Sequence, residues 1–279
     1  MRVSSLRGLL LLWLAFAGLA VSQPMARAIA QQPVDLELVL AVDVSLSMDL
    51  DEQRLQRDGY IKAFRDRDLI AAILAGRHKR IAVTYMEWAG SFNQQTVVPW
   101  VLIDSAAAAE AFAVELERQP ISRFRMTSIS GALSYAGRQF GKGGYEGMRR
   151  VIDVSGDGPN NSGPPVADVR DGLVKDGIVI NGLPILLKSG TPSGFFDIAE
   201  LDTYYADCVI GGDGAFLIPV TTREEFATAT RRKLILEISG TMPQPAVIPA
   251  QFVMRTSGNT DCLVGEKQWQ RYMGDRMSP

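Results

Sequence analysis

Hydrophobic positions along the chain follow two spacings. Residues 38–42 are apolar without alternation, the pattern of a central strand covered on both faces. Residues 51–74 instead place Leu55, Tyr60, Ile61, Phe64, Leu69, Ile73 and Leu74 near helical spacing, with Arg and Asp between them, and predict one long helix. Residues 81–88 and 96–103 read as strands. Only Gly90 and a short polar turn separate them, so they should pair as an antiparallel hairpin. Pro99 places the second at a sheet edge, because proline cannot donate to a ladder. Ser105 then caps an alanine-rich helix, with Glu110 early and Arg118 late as the helix dipole favours.

A loop over 120–126 leads into a helix that starts near Thr127 and stops at Gly141-Lys142-Gly143-Gly144. Those glycines follow a helix and carry no hydroxyl after Lys142, so they are a helix stop and turn, not a phosphate loop. Residues 149–155 form another strand, which breaks into a turn-forming cluster over 156–163. A helix follows over 166–175, a strand over 177–187, and a loop with a short helix over 192–201. Residues 204–210 and 215–220 have strand composition. The last helix covers 222–238, with Arg231-Arg232-Lys233 on its solvated side. Beyond Gly240 come Pro243, Pro245 and Pro249, and the tail reads as an extended arm with little core of its own. Strands alternating with helices predict an α/β fold: a doubly wound, mostly parallel sheet, one antiparallel edge strand, and helices on both faces.

The N-terminus changes the picture of organisation. Arg2 and Arg7 precede an apolar stretch over 9–21, too short to span a bilayer, and Ala28-Ile29-Ala30 has the small-x-small pattern of a cleavage site. The expected organisation is a signal peptide over 1–30, a domain over 31–239 and a C-terminal extension over 240–279, in a periplasmic or secreted protein. No later segment has the length to span a membrane. With an export signal, Cys208 and Cys262 suit a disulfide, and two free thiols are the alternative. The net charge of −2 and the absence of a basic block argue against nucleic acid as a partner. The one histidine, His78, sits among Arg77, Lys79 and Arg80 in a loop, which removes a serine-protease triad and a histidine-based zinc site.

Candidate chemistry lies where strands end. Asp43, Ser45 and Ser47 offer one carboxylate and two hydroxyls from a short loop at the carboxyl end of the central strand, where open α/β sheets bind ligands. Thr127 and Asp157 sit on two further loops of the same kind, giving two carboxylates and three hydroxyls in all. Hard oxygen donors favour Mg²⁺, with Mn²⁺ or Ca²⁺ as alternatives. The competing reading of the first loop is a helix cap, with Ser47 or Asp49 as N-cap and Glu52 in the first turn.

Taken together, Asp43-x-Ser45-x-Ser47, the Thr127 loop before Ala132-Leu133, and Asp157-Gly158 resemble the three motifs of a von Willebrand factor type A domain. Their order, their spacing and the early hairpin also match over about 34–238. The resemblance implies a metal-ion-dependent adhesion site and no enzymatic activity. Ser45, Ser47 and Thr127 would supply hydroxyls, and Asp43 and Asp157 would bind directly or through water. A protein partner would complete the ion with an Asp or Glu carboxylate. The chain also resembles a bacterial exported subgroup of that family with no assigned function. It departs from the usual pattern at Ser155-Gly156, where a hydrophobic residue and a threonine are commoner. Two alternatives accompany this reading. One is a haloacid-dehalogenase-type metal-dependent phosphohydrolase with Asp43 as nucleophile, which lacks its second acid because Ser45 occupies that position. The other is the same fold with a site that holds no metal.

Overall fold

Leu38, Leu40 and Val42 face one side of the central strand and Val39 and Ala41 the other, and all five are buried. The computed structural model describes residues 31–187, 198–240 and 260–277. The expected signal segment, most of the loop before Leu201 and the three tail prolines lie outside those residues. In chain order the elements are β1 (Gln32–Val34), β2 (Glu37–Asp43), α1 (Leu50–Phe64), α2 (Arg67–Leu74), β3 (Ile81–Trp88), β4 (Gln94–Ile103), α3 (Ala106–Arg118) and α4 (Ile129–Gly137). Then come β5 (Tyr145–Gly147), β6 (Arg150–Gly156), α5 (Val166–Lys175), β7 (Ile178–Pro184), α6 (Leu201–Tyr204), α7 (Phe226–Ser239) and α8 (Val264–Met277).

The main sheet runs β4-β3-β2-β6-β7, parallel except for the β3–β4 pair at one edge. This is the expected doubly wound sheet, with Pro99 on the edge strand. One apolar layer joins β2 to Tyr60, Phe64, Leu69, Phe112 and Leu234, from α1, α2, α3 and α7. The opposite layer joins Val39 and Ala41 to Ile129, Leu133, Val166 and Tyr205. In register, Val42 lies opposite Ser155 and Asp43 opposite Trp88, so β2 and β6 deliver their ends to one edge.

Five expectations change. The helix over 51–74 is two helices, because Asp66 caps a new one through the backbone N–H groups of Asp68 and Leu69. Residues 204–209, expected as a strand, are helical: α6 runs into a π-helical turn, Tyr205–Val209, which ends at the extended Ile210. Leu201, Tyr204, Tyr205, Cys208 and Val209 are buried at i, i+3, i+4, i+7 and i+8, a helical period that the strand-like composition conceals. Residues 215–220 make only isolated bridges, Leu217 to Gly182 and Val220 to Ile185. Lys233 is fully buried, not solvated, with its ammonium 2.5 Å from Asp153 Oδ1 and also paired with Glu237. The tail, expected to be extended, contains α8. Two short parallel strands, β1 and β5, were not expected from the sequence.

Candidate metal centre

Three loops converge at the carboxyl ends of β2 and β6. In the first, Asp49 is the N-cap of α1, in a reciprocal capping box with Glu52. The cap reading therefore holds for Asp49 and leaves Ser47 for other work. Ser47 Oγ donates to Asp157 Oδ1 at 2.6 Å and lies 2.7 Å from Ser45 Oγ. Asp43 is fully buried, and its Oδ1 accepts from the Ser45 backbone N–H at 2.7 Å. The structure thus brings four of the expected residues into one chain of contacts. Thr127 lines the same cavity as Ser45 and Ser47.

Local structure fixes these positions. Ser45 bridges to Phe124, and Gln53 Nε2 donates to the Ser45 carbonyl, which ties the first loop to its neighbours. Met126 takes a left-handed φ of 72°, rare for a side chain without a short polar group, as it turns the chain into Thr127. Asn161 then grips Thr127 at both ends: its Oδ1 accepts from the Thr127 N–H, and its own N–H donates to the Thr127 carbonyl. Asn160 does the same work one residue earlier, accepting from Ser130 N and Oγ. Sequence reasoning placed both asparagines in a turn and missed this role. Their signal was an amide pair just after the third motif, in a loop where a side chain can replace a backbone partner.

The electrostatics favour a cation. Asp43 Oδ2 is buried and has no hydrogen-bond partner among the described residues. Burial pushes the Asp43 carboxyl well up, and the negative charge of Asp157 pushes it further. A cation would relieve both costs, since it supplies charge to the buried carboxylate and screens the pair. The space is shaped too. A Cβ on Gly156 would lie 2.9 Å from both Asp43 Oδ2 and Tyr205 Oη. The Ser155-Gly156 departure has its reason here. Tyr205 fills the room that a larger side chain would need, and Ser155 Oγ accepts from Gln56 Nε2 in the layer beneath. Among the described residues, no three His, Cys, Asp or Glu side chains converge so as to hold a metal ion. An ion here would rest on hydroxyls as much as on carboxylates, the donor set of a hard divalent cation.

A family model covers residues 33–242 of this chain. The chain belongs to the family "Protein of unknown function (DUF1194)". The fold of this DUF1194 protein is that of a von Willebrand factor type A domain, as the sequence motifs imply. It is similar to proximal thread matrix protein 1 from the mussel byssus, at 14% identity over 75% of this chain and 49% of that chain, with a TM-score of 0.54. The same mussel protein with a zinc-occupied MIDAS motif matches at 13% identity over 75% of this chain and 49% of that one, TM-score 0.51. The pilus adhesin SpaC from Lactobacillus rhamnosus GG matches at 13% identity over 74% of this chain and 30% of that chain, TM-score 0.52. The DUF1194 chain spans about half the length of the mussel protein and less of the adhesin, and at these identities the likeness concerns the fold. No curated protein matches it significantly.

A disulfide joins Cys208, in the π-helical turn, to Cys262, just before α8, with the Cα atoms 5.5 Å apart. Asn160 Nδ2 also donates to Glu266 Oε1 of α8 at 2.7 Å. The extension is therefore attached beside the candidate metal centre. No helix among the described residues is long and apolar enough to cross a membrane.

Proposed function

We propose that this DUF1194 protein is an exported binding module, not an enzyme, that holds a divalent cation at Asp43, Ser45, Ser47, Thr127 and Asp157. The observation that carries the reading is the buried, unpartnered Asp43 Oδ2 beside the Ser45–Ser47–Asp157 contacts. When bound, the cation supplies an electrophilic open position to a carboxylate from a protein partner. The chain's own residues do the rest. Ser45 N–H holds Asp43 in place, the Ser47 hydroxyl orients Asp157, and Asn161 holds Thr127 against the site. With two carboxylates at most and neutral hydroxyls for the rest, the protein does no more than balance a divalent ion, which leaves the open position attractive to an Asp or Glu from outside. Mg²⁺ is the first choice on donor hardness, with Mn²⁺ and Ca²⁺ next. The zinc in the mussel protein's motif makes Zn²⁺ a necessary comparison.

The apolar segment over 9–21 and Ala28-Ile29-Ala30 support export to the periplasm or beyond, and N-terminal sequencing of protein from the native cell should begin near Gln31. Titration calorimetry of the 31–279 chain with each ion tests the centre. Uptake by the wild type and its loss in Asp43→Ala and Ser45→Ala are expected. Absence of uptake at millimolar ion would leave the fold assignment standing and remove the proposed function.

A further inference from the structure

A cavity of about 400 Å³ opens beside the candidate centre, with Ser45, Ser47 and Thr127 on one side and Trp269, Tyr272 and Met273 of α8 on the other. The hydroxyl side faces the proposed ion, and the α8 side is apolar, with the Trp269 and Tyr272 rings stacked 5.6 Å apart. We propose that this wall makes α8 part of the recognition site: it seats a large apolar side chain that neighbours the partner's carboxylate. The inference rests on the proposed function and specifies the partner. The segment recognised pairs an Asp or Glu with a neighbouring aromatic or large aliphatic residue in an exposed protein loop.

The wall is built in register with the metal loops. The Cys208–Cys262 bridge fixes the start of α8. Gly265 packs so closely on the Asn160 carbonyl that a Cβ would overlap it, and Glu266 takes a hydrogen bond from the Asn160 side chain. Asn160 is also the acceptor for Ser130 at the start of α4, the helix that follows Thr127. One asparagine therefore links the aromatic helix to the loop that presents the threonine hydroxyl. Charge and exposure favour an acidic, apolar ligand. Arg125 lines the cavity as a cation for a carboxylate. In the cavity wall, Leu46 is 45% exposed and Met273 39%, apolar surface of the kind that marks an interaction site. The cavity lies at the small end of ligand pockets and suits one side chain with its backbone rather than a whole helix.

The test uses the oxidised 31–279 chain and three capped dipeptides: N-acetyl-Asp-Phe-amide, N-acetyl-Asp-Ala-amide and N-acetyl-Asn-Phe-amide. Binding is followed by NMR in Mg²⁺ and in EDTA. Burying the phenyl ring should make Asp-Phe bind about 10- to 100-fold tighter than Asp-Ala in the wild type. That preference should fall toward unity in Trp269→Ala and drop part-way in Met273→Ser, an exposed position whose change spares the fold. Asp-Ala should bind alike to all three proteins. Equal binding of Asp-Phe and Asp-Ala to the wild type overturns the wall, as does a preference that survives Trp269→Ala. A phenyl preference that persists in EDTA and with Asn-Phe supports the wall while removing the ion. Ion-dependent binding without a phenyl preference keeps the ion and overturns the wall. Self-association that accounts for the wall, seen as dimer in sedimentation and lost in Trp269→Ala, also overturns the proposal by making a second copy the occupant.

Discussion

Ser47 and Asp157 meet at 2.6 Å although 110 residues separate them. The contact joins the end of β2 to the end of β6, and it exists only because those strands are parallel neighbours that finish at the same edge.

Asp43→Asn keeps the side-chain shape and the acceptor for Ser45 N–H but removes a buried charge. In chelator, the variant should melt at or above the wild-type temperature, because the desolvated carboxylate is gone. Added ion should raise only the wild-type melting temperature. An ion at 100 times its Kd contributes about 2.7 kcal/mol. Thermal melts with and without EDTA read both effects.

Asn161→Ala should destabilise the domain by about 1–3 kcal/mol, since it leaves the Thr127 N–H without its acceptor in a buried setting. Ion affinity should fall with it, because Thr127 is no longer held against the Asp157 loop. Urea unfolding gives the first value and calorimetry the second. Asn161→Asp, which keeps the acceptor, should recover most of the stability.

Gly156→Ala places a methyl group 2.9 Å from Asp43 Oδ2 and from Tyr205 Oη, so a loss of about 1–3 kcal/mol is expected. Tyr205→Phe removes one of the two obstructions. The double variant should therefore be less destabilised than the sum of the single changes, a coupling that a double-mutant cycle in urea measures.

The buried Lys233–Asp153–Glu237 cluster predicts a pH dependence. Burial, then the charge of Asp153, pushes Glu237 up to about 7, and burial raises Asp153 as well. A carboxyl raised in the folded state favours folding while protonated. Its contribution is complete below the unfolded value near 4.3 and is lost as pH rises through about 7. Wild-type stability in chelator should thus decline between pH 5 and 8, by on the order of 1–3 kcal/mol. Glu237→Gln keeps an oxygen for Lys233 and Asn181 and should flatten much of that slope. Melts at pH 5, 6, 7 and 8 check it.

What the sequence alone determined is local or periodic. The apolar run of β2, the hairpin with Pro99 at the edge, a cap at Ser47 or Asp49, the cap at Ser105, and the order of the three oxygen-bearing loops all depend on near neighbours in the chain. The doubly wound sheet was therefore legible before any coordinate. Tertiary structure decided the rest. Lys233 carries the same charge as its neighbours Arg231 and Arg232, and it is buried because Asp153 of β6 meets it from across the fold, beside Glu237 on its own helix. Residues 204–209 have β composition, and the packing of Tyr205 over Gly156 and Asp43 holds them helical. Asn160 and Asn161 look like turn formers until the Thr127 loop and α8 arrive beside them. In each case the decisive partner lies tens of residues away. For Tyr205 the selecting energy is apolar burial, and for Lys233 and the asparagines it is the cost of leaving a buried polar group unpaired, which no local pattern of the chain encodes.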